Sequence, residues 1–332
     1  MSKISVLTAC YNHEKYLNYY IESLLAQSFE DWELLIVDDN SRDKSVNIIK
    51  QYNDCRIKLI CNDINQGPGV AWNKAYENAT GDYFVICASD DMIEPDYFSY
   101  ILEQFNKGFE IIYSPLQTID KNNKRYSVMN LPETNNNYKL LARLFKTSNC
   151  LYSPGLSFNK RLAKILFPTS IGMVQHQDYQ WHIQLLINSE KIKFAEKPFI
   201  LYRKIKTSNT LSSISIGEYN RLRLEIEQLM NTFLCIKDIE AIKKIFPDVE
   251  IKNQREIPFI LAIQAIKLDL HDKKRWGYNL LLNLLRNKEI EYTQDFTFGD
   301  FLKISNEIYY SKFYFNIHKI KLLLKKIIKG FY

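Results

Sequence analysis

The chain has 332 residues, 46% of them hydrophobic and 25% charged, with 10 Gly and 9 Pro. That composition can bury a sizeable core, which excludes a disordered or collagen-like chain, and the length suits one large domain or two. The net charge of +6 is uneven: residues 1–100 carry 8 Lys and Arg against 16 Asp and Glu, net −8, and the other 232 carry 36 against 22, net +14.

The first hundred residues alternate apolar runs with amphipathic segments. Ile4–Ala9 reads as a β-branched strand ended by Tyr11-Asn12-His13, and Leu17, Ile21, Leu24 and Leu25 are spaced for one face of a helix. Glu33–Val37 is a second strand, Lys44–Tyr52 a helix, Ile57–Cys61 a strand, and Pro68–Ala79 a helix opened by proline. Tyr83–Cys87 is a fourth strand, ending at Ala88-Ser89-Asp90-Asp91. Continuous apolar strands separated by helices predict an α/β fold, a parallel sheet with helices on both faces. From Glu103 to Tyr152 the pattern weakens, and the Asn-rich Glu133–Tyr138 reads as a mobile loop. A further ordered block spans Ser153–Ser213, and beyond Ile216 the period is helical, as in Tyr219–Phe233, Ile257–Leu270 and Trp276–Leu285. The expected organisation is a domain over 1–215, in halves 1–100 and 101–215, and a C-terminal α-helical region over 216–332.

No run approaches the ~20 apolar residues that span a bilayer. The N-terminus lacks a basic head, an apolar run and a small-residue cleavage site, so a secretory signal is not expected. The six cysteines show no CxxC spacing, which points to reduced structural thiols, and the five histidines form no zinc pair. A cytoplasmic protein is expected.

Ligands of parallel sheets gather beyond the carboxyl ends of the strands. Here those ends carry Thr8–Asn12, Asp38-Asp39 and Asp90-Asp91, so three strand ends aim polar or acidic groups at one rim. Asp90-Asp91 suits Mg²⁺ or Mn²⁺, hard ions that bridge carboxylates to a diphosphate, or else a turn in which Asp90 caps the next helix. Asp38-Asp39 suits hydrogen bonds from a nucleobase or ribose, or else a loop cap. Like charges gathered at one rim cost energy unless a cation or a donor-rich ligand compensates.

The run Val6-Leu7-Thr8-Ala9-Cys10-Tyr11-Asn12, followed by Leu35-Ile36-Val37-Asp38-Asp39-Asn40-Ser41, resembles the opening of family 2 glycosyltransferases with the GT-A fold. Asn65-Gln66-Gly67, Ala71, Asn73, Ala75 and Gly81-Asp82-Tyr83 continue that pattern, and Ala88-Ser89-Asp90-Asp91 stands at the family's DxD element. Gln175-His176-Gln177-Asp178-Tyr179-Gln180-Trp181, then Leu201-Tyr202-Arg203 and Ser208-Asn209, are similar to its acceptor-side motif, so the resemblance covers roughly residues 3–213. It implies a Rossmann-like, mostly parallel GT-A sheet and inverting transfer of a sugar from a nucleotide-diphosphate donor, UDP-sugar favoured. The first half would hold the donor and the second the acceptor, a glycan that is free or lipid-linked, for instance to polyprenyl, in bacterial capsule, lipopolysaccharide or glycoconjugate synthesis. The resemblance assigns Thr8, Cys10, Tyr11, Asp39, Asn65, Gly67 and Asp90 to the nucleotide and Asp91 with Asp90 to Mn²⁺ or Mg²⁺. It assigns Asp178 as general base, and Trp181, Tyr202 and Arg203 to the acceptor or diphosphate.

A base must stand within hydrogen-bond reach of the attacking hydroxyl, and an aromatic-flanked carboxylate has its pKa raised toward operating pH. The other reading of Asp178 is a helix N-cap ahead of an apolar face. Two positions depart from the family: Ala88 replaces the first Asp of DxD, which weakens metal dependence, and Gln177 stands where Glu is common. Both departures favour the competing reading, a non-catalytic sugar-nucleotide or glycan-binding relative serving as an assembly partner. His176 then reads as a base or ligand, or as an ordinary surface or core histidine.

Lys312–Tyr332 holds six lysines and no acid, with Ile317, Ile320, Leu323, Leu324, Ile327, Ile328 and Phe331 on one helical face. This basic amphipathic helix suits an anionic membrane surface, making the protein peripheral at the inner face, or docking on its own core or on a second copy in a homo-oligomer. No groove-reading or stacking motif accompanies the charge, so nucleic acid is not an expected partner. The lack of a GxGxxG after the first strand argues against a dehydrogenase.

Overall fold

The computed structural model describes residues 3–204, 216–290 and 296–309; the basic tail Lys312–Tyr332 and Ser208-Asn209 lie outside them. Packing divides the chain into two compact units, Met1–Leu144 with Ser148–Glu225, and Phe145–Thr147 with the chain from Ile226 onward.

In chain order the first unit runs β1 (Ile4–Cys10), α1 (Leu17–Leu25), β2 (Trp32–Asp38), α2 (Ser45–Ile49), β3 (Ile57–Cys61), α3 (Pro68–Glu77), β4 (Tyr83–Ile86) and β5 (Met92–Ile93). There follow α4 (Tyr97–Asn106), β6 (Ile111–Tyr113), β7 (Leu116–Ile119), β8 (Arg125–Met129), α5 (Asn137–Lys146), β9 (Ser157–Asn159) and α6 (Lys160–Leu166). α7 (Gln177–Asn188), β10 (Ile192–Phe194), β11 (Ile200–Arg203) and the first part of α8 (Ile216–Asn231) complete it.

The main sheet has seven strands in the order β10-β6-β9-β4-β1-β2-β3. β1 pairs parallel with β2 and β4, β2 with β3, and β6 with β10, whereas β9 runs antiparallel to both β4 and β6. Six strands therefore share one direction and one carboxyl edge. Ile4, Val6, Leu7, Leu34, Leu35, Ile36 and Val37 are fully buried, which is why β1 and β2 read as unbroken apolar runs rather than alternating ones. α3 starts where Gly67 takes a left-handed φ of +85° and Pro68 supplies the first helical residue.

The region expected to be weakly patterned supplies β7 and β8 to a second sheet, of four strands in the order β5-β11-β7-β8. Its strands are two to five residues long and β8 is mostly exposed, so no long apolar run marks them. The stretch expected to be a mobile loop is tied down: Asn135 donates to the Ile192 carbonyl at 2.9 Å, Asn137 to that of Leu186 at 3.2 Å, and Asn137 opens α5. A polar sequence looks like a loop when its amides are spent on distant backbone.

The second unit is helical in its described residues, with a 3₁₀ turn at Thr232–Cys235, α9 (Ile239–Ile245), α10 (Ile257–Ile266), α11 (His271–Arg286) and α12 (Phe298–Tyr309). The single helix expected over Ile257–Leu270 ends at Ile266. α10 and α11 approach so closely at Gly277 that an added Cβ would lie 2.6 Å from the Ala262 carbonyl oxygen. Phe145 is ringed edge-on by Phe233, Phe246 and Trp276, and Lys273 donates to the Phe145 and Thr147 carbonyls at 2.8 and 2.7 Å. Burial pushes that ammonium down to about 7. No helix among the described residues is long and apolar enough to cross a membrane.

Candidate active site

The carboxyl edge is built first from the turns after β1 and β2. Asn12, in left-handed backbone at φ 57°, donates its N–H to Ser41 Oγ at 2.9 Å and accepts from Arg42 N at 2.8 Å, which locks the two turns together. Asp39 is buried beneath them. Its Oδ1 accepts from Asn62 Nδ2 at 2.7 Å and Gln66 N at 2.9 Å, and its Oδ2 from Gly67 N at 2.7 Å. Lys74 in turn donates to Asn62 Oδ1 at 2.6 Å. Asp39 thus clamps the loop that carries Asn65 and Gly67. Asn65 and Tyr11 are exposed at this edge.

The turn after β4 carries the other acidic pair. Because β11 runs antiparallel to β5, with Leu201 opposite Met92, Arg203 lies beside Asp90 and Asp91. Arg203 donates its backbone N–H to Asp91 Oδ1 at 2.8 Å, Nε to the Asp90 carbonyl at 2.7 Å and Nη1 to the Asp120 carbonyl at 2.8 Å. Its guanidinium carbon stands 4.6 Å from the centre of the Tyr16 ring and 5.8 Å from that of Tyr19. Asp91 is fully buried, and burial with the Asp90 charge beside it holds its carboxyl well above the usual range. Asp91 Oδ2 and Arg203 Nη2 are buried with no hydrogen-bond partner among the described residues. Asp90 is half-buried.

α7 brings Asp178. Only three residues separate its end at Asn188 from β10, so the helix returns against the strand direction and its N-terminus reaches the carboxyl edge. Asp178, second residue of the helix, is partly accessible; its Oδ2 accepts from Asn149 at 3.2 Å and its Oδ1 from Tyr179 N at 2.7 Å. Burial outweighs these bonds and pushes the carboxyl up to about 6.

Asp39, Asp90, Asp91, Arg203 and Asp178 therefore share one edge, with Tyr11, Asn65 and Gly67. Other expected contacts turn inward. Thr8 is fully buried, paired with the Tyr20 hydroxyl, and Cys10 is buried with its thiol pushed up to about 12 by burial. Trp181 is 2% exposed, donates Nε1 to Thr169 Oγ1 at 2.8 Å and packs edge-on against Trp72, so the core takes up its ring. Tyr202 is half-buried against the core. His176 precedes α7 and bonds the Leu222 carbonyl through Nε2 at 3.1 Å. Sequence reasoning missed Asn62, Asn149 and Glu225, whose Oε atoms take the N–H groups of Val174, Gln175 and His176 at 2.8–3.1 Å.

The family model of glycosyl transferase family 2 matches residues 5–165. An uncharacterized glycosyltransferase of Methanocaldococcus jannaschii, MJ1057, is 31% identical over 219 residues, covering 64% of this chain and 74% of that one. This chain belongs to glycosyl transferase family 2. The glycosyltransferase is also 26% identical over 232 residues to the chondroitin synthase of Escherichia coli, covering 68% of this chain and 32% of the synthase. It spans about half or less of the length of several other relatives that it matches. Among solved structures, S. aureus TarS 1–349 in complex with UDP-GlcNAc superposes with a TM-score of 0.56 at 19% identity, covering 86% of this chain and 88% of that one. The fold of this glycosyltransferase is of the GT-A type.

Proposed function

We propose that this glycosyltransferase moves a sugar, with inversion, from a nucleotide-diphosphate donor, UDP-sugar first, to a glycan or lipid-linked glycan acceptor. Asp178 takes the acceptor proton. The observation that carries this reading is a partly accessible carboxyl near pKa 6 at the N-terminus of α7, on the edge that also holds Asp39, Asp90 and Asp91. Near neutral pH such a group is mostly ionised yet still basic enough to accept a proton. As the acceptor oxygen bonds to the anomeric carbon, its proton passes to an Asp178 oxygen. The bond from that carbon to the diphosphate oxygen breaks, and the electron pair leaves with the nucleoside diphosphate. Arg203, held beside Asp90 and Asp91, supplies positive charge where the diphosphate departs.

The residues fit a divalent cation in one respect: Asp91 keeps a buried carboxylate oxygen without a partner among the described residues. Those residues include no group of three or more His, Cys, Asp or Glu able to hold an ion, so phosphate and water oxygens would have to complete the coordination of Mg²⁺ or Mn²⁺. Asp91 and Asp90 would hold it, and when bound it would neutralise charge on the diphosphate.

The chondroitin synthase relative supports polysaccharide synthesis as the setting, and UDP-GlcNAc in TarS supports the donor class. The tail Lys312–Tyr332 is the segment we assign to the cytoplasmic membrane face. The experiment is a thermal-shift screen of nucleotide-sugars with and without Mn²⁺, followed by nucleoside-diphosphate release with the stabilising donor. Stabilisation by one UDP-sugar, strengthened by Mn²⁺, is expected. Stabilisation without turnover would favour the binding relative, and stabilisation by none would overturn the donor assignment.

A further inference from the structure

Glu225 is an acid in the wrong place for an ordinary amphipathic helix. In α8 it is 8% exposed while its neighbour Leu224 is 69% exposed, the reverse of what a hydrophobic pattern gives. Burying a carboxylate costs free energy unless hydrogen bonds compensate. Three consecutive backbone N–H groups do so: Val174 donates to Oε1 at 3.1 Å, and Gln175 and His176 to Oε2 at 2.8 and 2.9 Å. Three charge-assisted bonds from adjacent amides make a rigid hold on a short segment.

That segment leads directly into α7, whose second residue is Asp178. His176 occupies the N-cap position of α7, where its side chain does not act as the cap. Its second tie also comes from α8, since His176 Nε2 bonds the Leu222 carbonyl at 3.1 Å. Among the described residues the Asp178 carboxylate takes one side-chain hydrogen bond, from Asn149 at 3.2 Å. Where its carboxylate stands therefore depends on where the turn before it is held.

We propose that Glu225 is a positioning residue for the base: by gathering the amides of residues 174–176 it sets the start of α7, and with it the place of Asp178. This rests on the reading of Asp178 as base, and the two are separable by experiment. Misplacing a reacting group by about 1 Å can cost ~10²-fold in rate. Glu225→Ala should therefore lower kcat by about 10²-fold and leave the donor KM within about twofold, because the donor contacts are elsewhere on the edge. Glu225→Gln, which keeps the shape and one acceptor oxygen, should recover part of the loss.

The test uses the full chain and two measurements. The first is amide hydrogen exchange at Val174, Gln175 and His176, which needs no substrate; Glu225→Ala should speed it by at least about tenfold, with Leu224→Ala as an unchanged control. The second is release of UDP from UDP-GlcNAc, or from whichever donor the wild-type chain turns over, in Glu225→Ala, Asp178→Asn and the double variant. A residue that acts only through Asp178 loses nothing further once Asp178 is gone, so the double variant should match Asp178→Asn. Unchanged exchange in Glu225→Ala would overturn the proposal. So would freed exchange with wild-type turnover, or losses that multiply in the double variant. If Glu225→Ala does not fold, Glu225→Gln carries both measurements. Full turnover by Asp178→Asn alone would instead sink the base reading, leaving the exchange result as a measure of what Glu225 holds.

Discussion

Asp39 and Asp178 lie on the same edge of the sheet and are held in opposite ways. Asp39 takes three hydrogen bonds from Asn62, Gln66 and Gly67, all within a loop that begins one strand later. Among the described residues Asp178 takes one side-chain bond, from Asn149, and the N–H of Tyr179, and burial leaves its carboxyl near 6. One carboxylate is built into the fold; the other is tolerated by it. On the reading proposed above, stability and function are separated between them: the Asp39 side is tied down by hydrogen bonds, and the Asp178 carboxyl is kept poised at the fold's expense.

Substitutions should expose that difference, the largest effect first. Asp39→Ala strands the donors of Asn62, Gln66 and Gly67 and should destabilise the first unit by about 3 kcal/mol, lowering Tm by roughly 9 °C. A melting temperature equal to wild type would end the contrast. Glu33 is the reference for a fully compensated carboxylate. Burial alone would raise its pKa, but Lys58, Ser5 and Thr80 outweigh that and hold it at about 2. Its folded pKa lies below its unfolded one, so its stabilisation is present above pH about 4.5 and lost as pH falls toward 2. Glu33→Gln should cost about 2 kcal/mol at neutral pH and flatten that acid limb in urea titrations.

Asp178→Asn should act in the other direction. The folded pKa of Asp178 lies above the ordinary 3.8, so stability falls as pH rises from there to about 6 and the ionised group is a net cost above it. The variant should be more stable than wild type by about 1–2 kcal/mol at pH 7.5, a gain that fades below pH about 4. A destabilised Asp178→Asn would mean that its carboxylate is structural.

The same contrast governs what was legible in the sequence. β1, β2 and β4 are short apolar runs in the centre of the sheet, so the polar residues just after them had to lie at its edge. Asp39, Asp90 and Asp91 could be found by that rule alone. Arg203 could not, because its place beside Asp91 depends on antiparallel pairing of β11 with the two-residue β5. Asn149 precedes Asp178 by 29 residues and Glu225 follows the turn it holds by 49 to 51, separations over which a single sequence carries no pairing signal. The family resemblance assigns Trp181 to the acceptor or diphosphate. Three residues along α7, however, it falls on the buried face with Leu185, where Trp72 and Thr169 take it up. Thr8 is lost to the rim for a similar reason: β1 is buried on both faces, and the Tyr20 hydroxyl satisfies its oxygen.

The most direct test of Asp178 as base is the pH dependence of kcat/KM for donor turnover in wild type and Asp178→Asn. The wild-type rate should rise through an apparent pKa of about 6 to a plateau, since only the ionised carboxylate accepts the proton. Asp178→Asn should lose about 10³-fold on that plateau, and the limb near 6 with it, while keeping donor affinity. A variant that turned over at the wild-type rate with the same limb would contradict the assignment.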